Sequence, residues 1–547
     1  MAFGHSLTFL ELASTLTYGA GHVTWADQAW GGTLEGVTRT TAGLLQGQLE
    51  AGVWVFRGVA YAQVEAVEGR WRPAQPPRAW VGTQAASASG PIAPQTPPVP
   101  GFSFPSDPTV SDEDCLNLNV WTPRLDDGRR PVLVWLHGGG FTTGTGSSAL
   151  FAGGRLAAKG VVVVTINYRL GALGLLAHRD IVGDDASGWG NWSLWDQIAA
   201  LEWVKENIAG FGGDPDNVTL FGESAGAMSI SDLLAAPRAT GLFHRAVIQS
   251  GPPATASKQW ATRRAERLAD HLGISPDELA TLRHVPVRRL VEATQRLAAE
   301  APSDGGLPLA LLPVVDGVLL EGPPGDLILE GAVAPVPIML GTTRDECALF
   351  TTADYGSPDV DSERVAHRLA ALVGPAGHDI VEAYHQARLG RGEPVTGRDL
   401  WTAVTTDYVF RLPLQALAAA HAKYQQQTYS YLFTWESPFL NGMFGSCHGL
   451  EIPFVFGTVQ DAPVQAFTGA GPRADVLTEK MQHAWIAFAR DGDPSCDEVG
   501  TWPGYDAVRR PTMVFGPDGG VEDDPRRSER LVWEETGAGP MVGHHHE

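Results

Sequence analysis

The sequence predicts an α/β fold, in which helices flank a central and mostly parallel sheet. Residues 131–137 and 161–167 are continuous apolar runs rich in β-branched side chains, a composition typical of strands buried on both faces. Residues 218–221 form a third such run, and a helical stretch follows them at 225–236. Strands that alternate with helices in this way favour a parallel sheet that is covered on each side.

Further predicted elements extend this pattern in chain order. They are strands at 41–49 and 53–61, a helix at 193–208, strands at 246–249, 336–340 and 428–435, and a helix at 474–490. Segments with helical periodicity, of which 401–410 is the last, also fill much of the range from 258 to 427. We expect these insertions to form a helical cap or rim over the sheet.

The charge balance bears on the partners that the chain could bind. The net charge is −23, and such an acidic surface disfavours nucleic acids and anionic membranes. No apolar run approaches the roughly 20 residues that span a bilayer. The first 36 residues contain no Lys or Arg, and Glu11 interrupts their apolar patch, so a secretory signal is the less favoured interpretation.

The cysteines indicate the compartment. Four cysteines in a chain of 547 residues do not make a disulfide framework, and their irregular spacing does not match a zinc site. We therefore expect a reducing, cytoplasmic location and no bound metal, with secretion as the alternative.

The motif Gly222-Glu-Ser-Ala-Gly226 lies between the strand at 218–221 and the following helix. A sharp turn there would expose Ser224 at the carboxyl end of a strand, and the two glycines would let neighbouring backbone approach closely. A chance match is common in a chain with 64 glycines. The strand–turn–helix context nevertheless favours a nucleophilic serine over an accidental tight turn.

A serine nucleophile needs a base and an acid, which follow it in the order acid, then His, in one large class of hydrolases. Asp345 and Glu346 come directly after a predicted strand, and His448 lies in a Gly-rich loop. The glycines that follow His137 would allow backbone N–H groups to converge on a substrate oxygen. Spacing alone leaves Asp345 and Glu346 as alternative acids.

With these motifs in order, the chain resembles the type-B carboxylesterase and cholinesterase family, which includes bacterial para-nitrobenzyl esterases. The resemblance covers roughly residues 37–535. The stretches that carry it include Phe56-Arg-Gly-Val-Ala-Tyr61, Ser111-Asp-Glu-Asp-Cys-Leu-Asn-Leu-Asn-Val120, His137-Gly-Gly-Gly-Phe141, Asn167-Tyr-Arg-Leu-Gly171, Phe221-Gly-Glu-Ser-Ala-Gly226, Asp345-Glu346 and His448-Gly-Leu-Glu451.

The resemblance implies an α/β-hydrolase fold with a catalytic domain at 37–536, an N-terminal extension at 1–36 and a tail at 537–547. It implies that Ser224 is the nucleophile, Glu346 the acid and His448 the base. It also implies an oxyanion hole made by the N–H groups of Gly139, Gly140 and Ala225. Glu223 would be a buried acid near the histidine and Ser250 a hydrogen bonder to the triad. The alternatives for these two are a structural carboxylate and a turn serine.

The function expected from this resemblance is hydrolysis of small to medium carboxylic esters through an acyl-enzyme, without metal or cofactor. Short-chain para-nitrophenyl esters would serve as model substrates, and activity would fall below an ordinary histidine pKa of about 6.5. The alternatives are an amide or carbamate hydrolase with the same triad, or a catalytically silent binding protein. We expect a monomer or a small homo-oligomer. Candidates for the pocket lining, none favoured individually, are Trp192, Phe350, Phe439 and Phe444.

Two departures from the family pattern concern cysteines. Secreted relatives pair the cysteine that matches Cys115 with an upstream one, and this chain has no cysteine before Cys115. Cys347 stands where the family commonly has glycine after the acid, and Cys447 directly precedes His448. One hypothesis is a thiol pair that makes the enzyme sensitive to oxidation. We favour core packing, because cysteine is often a small buried apolar residue, and a Cys–Cys–His metal site is less favoured still.

Overall fold

The computed structural model describes residues 35–96, 107–182, 189–300, 309–351, 361–539 and the backbone of 544–546. Almost all of the predicted N-terminal extension lies outside the described residues, as do parts of the predicted tail. By compactness the chain divides into Met1–Glu35 and Gly36–Glu547. The fold described below is that of the second unit.

The strands of the described residues range from three residues to the 11 of β9. In chain order they are β1 (Val37–Arg39), β2 (Leu44–Gln46), β3 (Gln48–Glu50), β4 (Val53–Ala60), β5 (Thr83–Ala85), β6 (Asn117–Thr122), β7 (Arg130–Leu136), β8 (Val162–Ile166), β9 (Gly213–Glu223), β10 (Arg245–Gln249), β11 (Ala254–Ala256), β12 (Ile338–Thr343), β13 (Thr428–Phe433), β14 (Pro511–Phe515), β15 (Val521–Asp523) and β16 (His544–His546).

The α-helices follow the same order and are densest between β11 and β13. They are α1 (Gly154–Ala157), α2 (Gly171–Leu175), α3 (Arg179–Val182), α4 (Trp192–Asn207), α5 (Ala225–Leu234), α6 (Lys258–Leu272), α7 (Val287–Ala299), α8 (Pro324–Glu330), α9 (Ala348–Thr351), α10 (Ser362–Val373), α11 (Ala376–Arg391), α12 (Gly397–Thr406), α13 (Leu412–His421), α14 (Ile452–Phe456), α15 (Ala462–Thr468), α16 (Pro472–Asp491) and α17 (Arg527–Thr536). In the described ranges, no helix has both the length and the apolar character needed to cross a membrane.

Eleven of these strands form the central sheet, in the order β15, β14, β13, β12, β10, β9, β7, β8, β6, β4, β3. The seven strands from β14 to β8 pair in parallel. Antiparallel pairing joins β15 at one end and β6, β4 and β3 at the other. The prediction of a central, mostly parallel sheet is therefore confirmed.

Helices cover both faces of this sheet, as the continuous apolar runs require. Alternate residues of β7 belong to different apolar clusters: Val132 and Val134 to one, and Leu133 and Trp135 to the other. Helices α4, α5 and α13 supply apolar side chains to the first cluster, and α14 and α16 to the second. All five residues of β8 are buried, because this strand lies between the two layers.

Two sequence-based predictions are wrong in detail. Instead of one strand at 41–49, β2 pairs with β1 and β5, while β3 pairs with β4 in the central sheet. Gly47 separates the two strands, and a Cβ at that position would come within 2.6 Å of the Phe56 ring. Instead of one helix over 401–410, α12 ends at Thr406 and Asp407–Arg411 forms a π-helical turn.

The sheet places its candidate functional residues at one edge. The last residues of four neighbouring parallel strands are Leu136 in β7, Glu223 in β9, Gln249 in β10 and Thr343 in β12. Because parallel strands all end at the same edge, the segments that follow them meet in one region. The predicted nucleophile, acid and oxyanion loop all belong to these segments.

Candidate active site

Ser224 lies in a strained turn between β9 and α5. Its backbone has φ 55° and ψ −126°, outside the regions that side-chain-bearing residues normally adopt. Its N–H donates to the Gln249 carbonyl at 2.9 Å. A Cβ on Gly222 or Gly226 would lie 2.7 Å or 2.0 Å from the Leu136 carbonyl oxygen. Both glycines therefore permit the close backbone approach that the motif predicts.

The structure separates the two adjacent acids that spacing could not distinguish. Glu346 Oε2 lies 2.5 Å from His448 Nδ1. Glu346 Oε1 accepts hydrogen bonds from the Thr343 N–H at 2.7 Å and from the Ser250 hydroxyl at 2.5 Å. Asp345 turns away and accepts from the Ser446 N–H. Glu346 is thus the carboxylate that faces the histidine, and Ser250 contacts it directly.

The His448 ring is almost fully buried and has a carboxylate at each nitrogen. Opposite Glu346, His448 Nε2 lies 3.0 Å from Glu223 Oε1. The rings of Phe350 and Phe410 lie at centroid distances of 5.2 Å and 5.0 Å from the imidazole. This packing and the two carboxylates fix both the position of the ring and its electrostatic surroundings.

Charge around His448 shifts two pKa values. Burial lowers the pKa of His448, but the Glu223 and Glu346 carboxylates outweigh it and raise the pKa well above its ordinary value. Burial, together with the same two carboxylates, raises the pKa of Glu451 to about 8, although a hydrogen bond from Gln249 opposes this shift. The expected activity limb near about 6.5 stays a prediction, and the raised pKa of His448 indicates a limb at a higher pH.

The predicted oxyanion loop lies directly against Ser224. Gly139 and Gly140 both have positive φ, at 112° and 59°, which glycine adopts at little cost. A Cβ on Gly139 would lie 2.1 Å from the Thr143 carbonyl oxygen, and one on Gly138 would lie 3.0 Å from Ser224 Cβ. Ala225 is the first residue of α5, so its N–H belongs to a helix N-terminus that attracts negative charge.

The cysteines near the triad are buried free thiols. Cys347 packs with Val409 and Phe410, and burial raises its thiol pKa to about 12. Burial also raises the pKa of the Cys447 thiol, which packs within the apolar cluster that covers β7. These surroundings favour the packing interpretation, since a reactive cysteine needs a thiolate. Among the described residues, no group of three or more His, Cys, Asp or Glu side chains is arranged to hold a metal ion.

Sequence reasoning missed part of the histidine's environment. Of the four proposed lining aromatics, Phe350 contacts His448 and is 39% exposed, whereas Trp192 is buried in another cluster and Phe439 stacks on Phe444. Two contributors were not singled out. Phe410 contacts His448 from the π-helical turn, and the sequence periodicity does not predict such a turn. Glu451 lies within the family motif, but the motif alone does not indicate a role for it.

Comparison with known proteins places these features in context. The profile of the carboxylesterase family matches residues 32–533. The para-nitrobenzyl esterase of Bacillus subtilis (strain 168) is 37% identical over 499 residues, which are 90% of this chain and 97% of that protein. The phenmedipham hydrolase of Pseudarthrobacter oxydans is 38% identical over 500 residues, 88% of this chain and 95% of that protein.

Solved structures show the same likeness in three dimensions. The Geobacillus stearothermophilus carboxylesterase EST55 superposes with a TM-score of 0.79 at 37% identity, covering 91% of this chain and all of that one. The predicted α/β-hydrolase fold and the predicted family resemblance are both confirmed.

Proposed function

The chain belongs to the carboxylesterase family and is a carboxylesterase, and from that premise we propose that Ser224, His448 and Glu346 perform the hydrolysis. The observation that carries the proposal is the 2.5 Å contact between Glu346 and His448 at the sheet edge where the strained Ser224 turn also lies. Geometry of this kind lets an acid hold an imidazole in one tautomer while the other nitrogen accepts a proton.

In the first half-reaction, Ser224 Oγ attacks the ester carbonyl carbon as its proton passes to His448 Nε2. The carbonyl oxygen becomes an oxyanion, which the N–H groups of Gly139, Gly140 and Ala225 stabilise. Glu346 and Glu223 lie on either side of the ring and stabilise the imidazolium. His448 then gives its proton to the departing alcohol, and the acyl group stays on Ser224.

In the second half-reaction, His448 removes a proton from water, whose oxygen attacks the acyl carbon. The tetrahedral intermediate collapses, Ser224 takes the proton from His448, and the carboxylic acid leaves. The same three N–H groups stabilise the second oxyanion. Every step uses side chains and backbone of this chain, and no step is routed through a metal or cofactor.

We propose small to medium carboxylic esters as the substrates, with short-chain para-nitrophenyl esters as models. The relatives' names, para-nitrobenzyl esterase and phenmedipham hydrolase, support small-molecule substrates for this chain too. Amide or carbamate hydrolysis by the same triad is compatible with these relatives and is the alternative. An ester and an amide that carry the same acyl group separate the two.

The test is hydrolysis of para-nitrophenyl esters from acetate upward in chain length, with Ser224→Ala alongside. We expect turnover in the wild type, a chain-length optimum that measures the acyl pocket, and loss of turnover in the variant. Turnover that survives in a folded Ser224→Ala protein would contradict the assigned nucleophile. A folded wild type that hydrolyses no ester would contradict the substrate class.

We further propose a reducing, cytoplasmic location, since Cys115, Cys347 and Cys447 are buried as free thiols. We also propose that the active unit is a monomer or small homo-oligomer. Light scattering coupled to size-exclusion chromatography tests the second statement, and an assembly larger than a tetramer would contradict it.

A further inference from the structure

We propose that Asp345 is a positioning residue, which clamps the loop of the catalytic base to the loop of the catalytic acid. Asp345 is the one of the two adjacent acids that does not face His448. Its carboxylate contacts the backbone of Ser446, two residues before His448. The proposal rests on the proposed roles of Glu346 and His448.

The clamp joins residues 345 and 446 in both directions. The Asp345 N–H donates to the Ser446 carbonyl at 2.9 Å. The Ser446 N–H donates to Asp345 Oδ2, also at 2.9 Å. The Ser446 hydroxyl adds a hydrogen bond to the Phe433 carbonyl at the end of β13. Residue 446 is therefore held by its N–H, its carbonyl and its side chain.

Arg344 holds the Asp345 carboxylate in the position that the clamp needs. Arg344 Nε and Nη2 donate to the same Oδ2 at 2.9 Å and 2.6 Å, so this oxygen accepts three hydrogen bonds. Arg344 Nη2 also pairs with Glu436 Oε1 at 2.7 Å. Hydrogen bonds of this kind, with an ionised donor and acceptor, are stronger than neutral ones.

Gly445 shows how closely the two loops are fitted together. Its φ is 53°, and a Cβ at this position would lie 2.5 Å from Asp345 Oδ2. A side chain at 445 would therefore push the loop away from the carboxylate. The Gly445 carbonyl accepts the Ser437 N–H at 2.8 Å, which fixes the loop from its other side.

The clamp lies one residue from the acid and two from the base. Its two hydrogen bonds consequently set the separation of the two short segments that carry Glu346 and His448. Those side chains meet at 2.5 Å, and misplacement of a catalytic group by about 1 Å can lower a rate by about 100-fold. In this proposal the Asp345 carboxylate affects the reaction by positioning Glu346 and His448, and it does not itself contact the substrate or the reacting atoms.

The test compares Asp345→Ala with Asp345→Asn by steady-state kinetics on one para-nitrophenyl ester. Asp345→Ala removes the acceptor, and we expect kcat to fall by about 10- to 100-fold with KM within about twofold of wild type. The amide oxygen of Asp345→Asn still accepts from Ser446 and Arg344, so we expect kcat within about threefold of wild type. Asp523→Ala, which removes an exposed carboxylate paired with Arg509, is the matched control and should match the wild type.

Each outcome decides the proposal. Unchanged kcat in a folded Asp345→Ala, or equal losses in the Ala and Asn variants, would overturn the clamp. If Asp345→Ala does not fold, Gly445→Ala tests the same contact from the other loop, and a wild-type kcat there would overturn it. His448→Gln runs in parallel: if it retains turnover, the proposed base is wrong, whereas an inactive His448→Gln beside a fully active Asp345→Ala refutes the clamp alone.

Discussion

Two buried carboxylates of the scaffold differ in their surroundings from those around the proposed triad. In the scaffold, Asp196 accepts two hydrogen bonds from Arg169, at 2.7 Å and 2.6 Å, and both side chains are buried. Asp407 faces Arg411 in the same way. Each of these carboxylates has a guanidinium, which keeps its charge at every pH at which the protein is folded.

Around the proposed triad the pairing is different. Glu223 and Glu346 both face the imidazole of His448, and Glu451 is buried close enough for their charges to raise its pKa. Histidine changes charge near neutral pH, unlike arginine. The comparison teaches that a guanidinium permanently neutralises Asp196 and Asp407. The acids of the site instead face a group that titrates, so they control the protonation of His448.

The largest expected effect comes from removing that base. His448→Gln leaves Ser224 without a proton acceptor, and we expect kcat to fall by about 10⁴- to 10⁶-fold on a para-nitrophenyl ester. Circular dichroism should show an unchanged fold. Residual activity within about 100-fold of wild type would mean that another group acts as the base.

The scaffold pair predicts a large effect on stability rather than on chemistry. Arg169→Met leaves Asp196 buried without its cation, and we expect the free energy of unfolding to fall by about 3–5 kcal/mol. Denaturant unfolding measures this loss. The matched control is Arg155→Met, whose partner Asp461 is 38% exposed, and it should cost under about 1 kcal/mol. Equal losses in the two variants would contradict the assigned role of burial.

An intermediate effect is expected on the pH dependence of kcat/KM. Protonated His448 accepts no proton from Ser224, so activity rises with pH through the raised pKa of His448. Glu223→Gln removes one of the charges that raise this pKa, and the acid limb should move to lower pH. Glu479→Gln, at an exposed pair with Lys159, should leave the limb in place. A limb that moves upward in Glu223→Gln would contradict this electrostatic explanation.

The smallest effect is expected from thiol reagents. Cys347 and Cys447 are buried with raised pKa values, so alkylation at neutral pH should leave kcat within about twofold of the untreated enzyme. Cys496 is the partly exposed thiol among the four cysteines and should account for the labelling. Inactivation that Cys347→Ala prevents would instead support the hypothesis of reactive thiols.

The sequence predicted the parts of the fold that depend on local pattern. Strands β7 and β8 are buried on both faces, so their composition indicated them directly. The prediction of one strand at 41–49 failed because tertiary packing against Phe56 divides this region at Gly47. The π-helical turn Asp407–Arg411 escaped for a similar reason, since one wider turn hardly changes helical periodicity.

At the site, the local sequence pattern predicted the candidate catalytic residues, but it did not predict which carboxylates face His448 or how they shift its pKa. The motif around Ser224 carried enough context to predict the strained turn. The choice between Asp345 and Glu346 depends on which carboxylate the end of β12 turns toward His448, and spacing does not encode that direction. The raised pKa of His448 depends on Glu223 and Glu346, which face its two ring nitrogens. Spacing alone does not place Glu223 there, although the family resemblance implies a buried acid near the histidine.

The most direct test of the central claim, that His448 activates Ser224, is covalent capture with a fluorophosphonate ester. Attack by Ser224 Oγ forms an Oγ–P bond and releases fluoride, and mass spectrometry reads the product. We expect one phosphonyl group per chain, located on Ser224, and no labelling of His448→Gln on the same timescale. Labelling of another residue, or equally fast labelling of the His448→Gln variant, would contradict the claim.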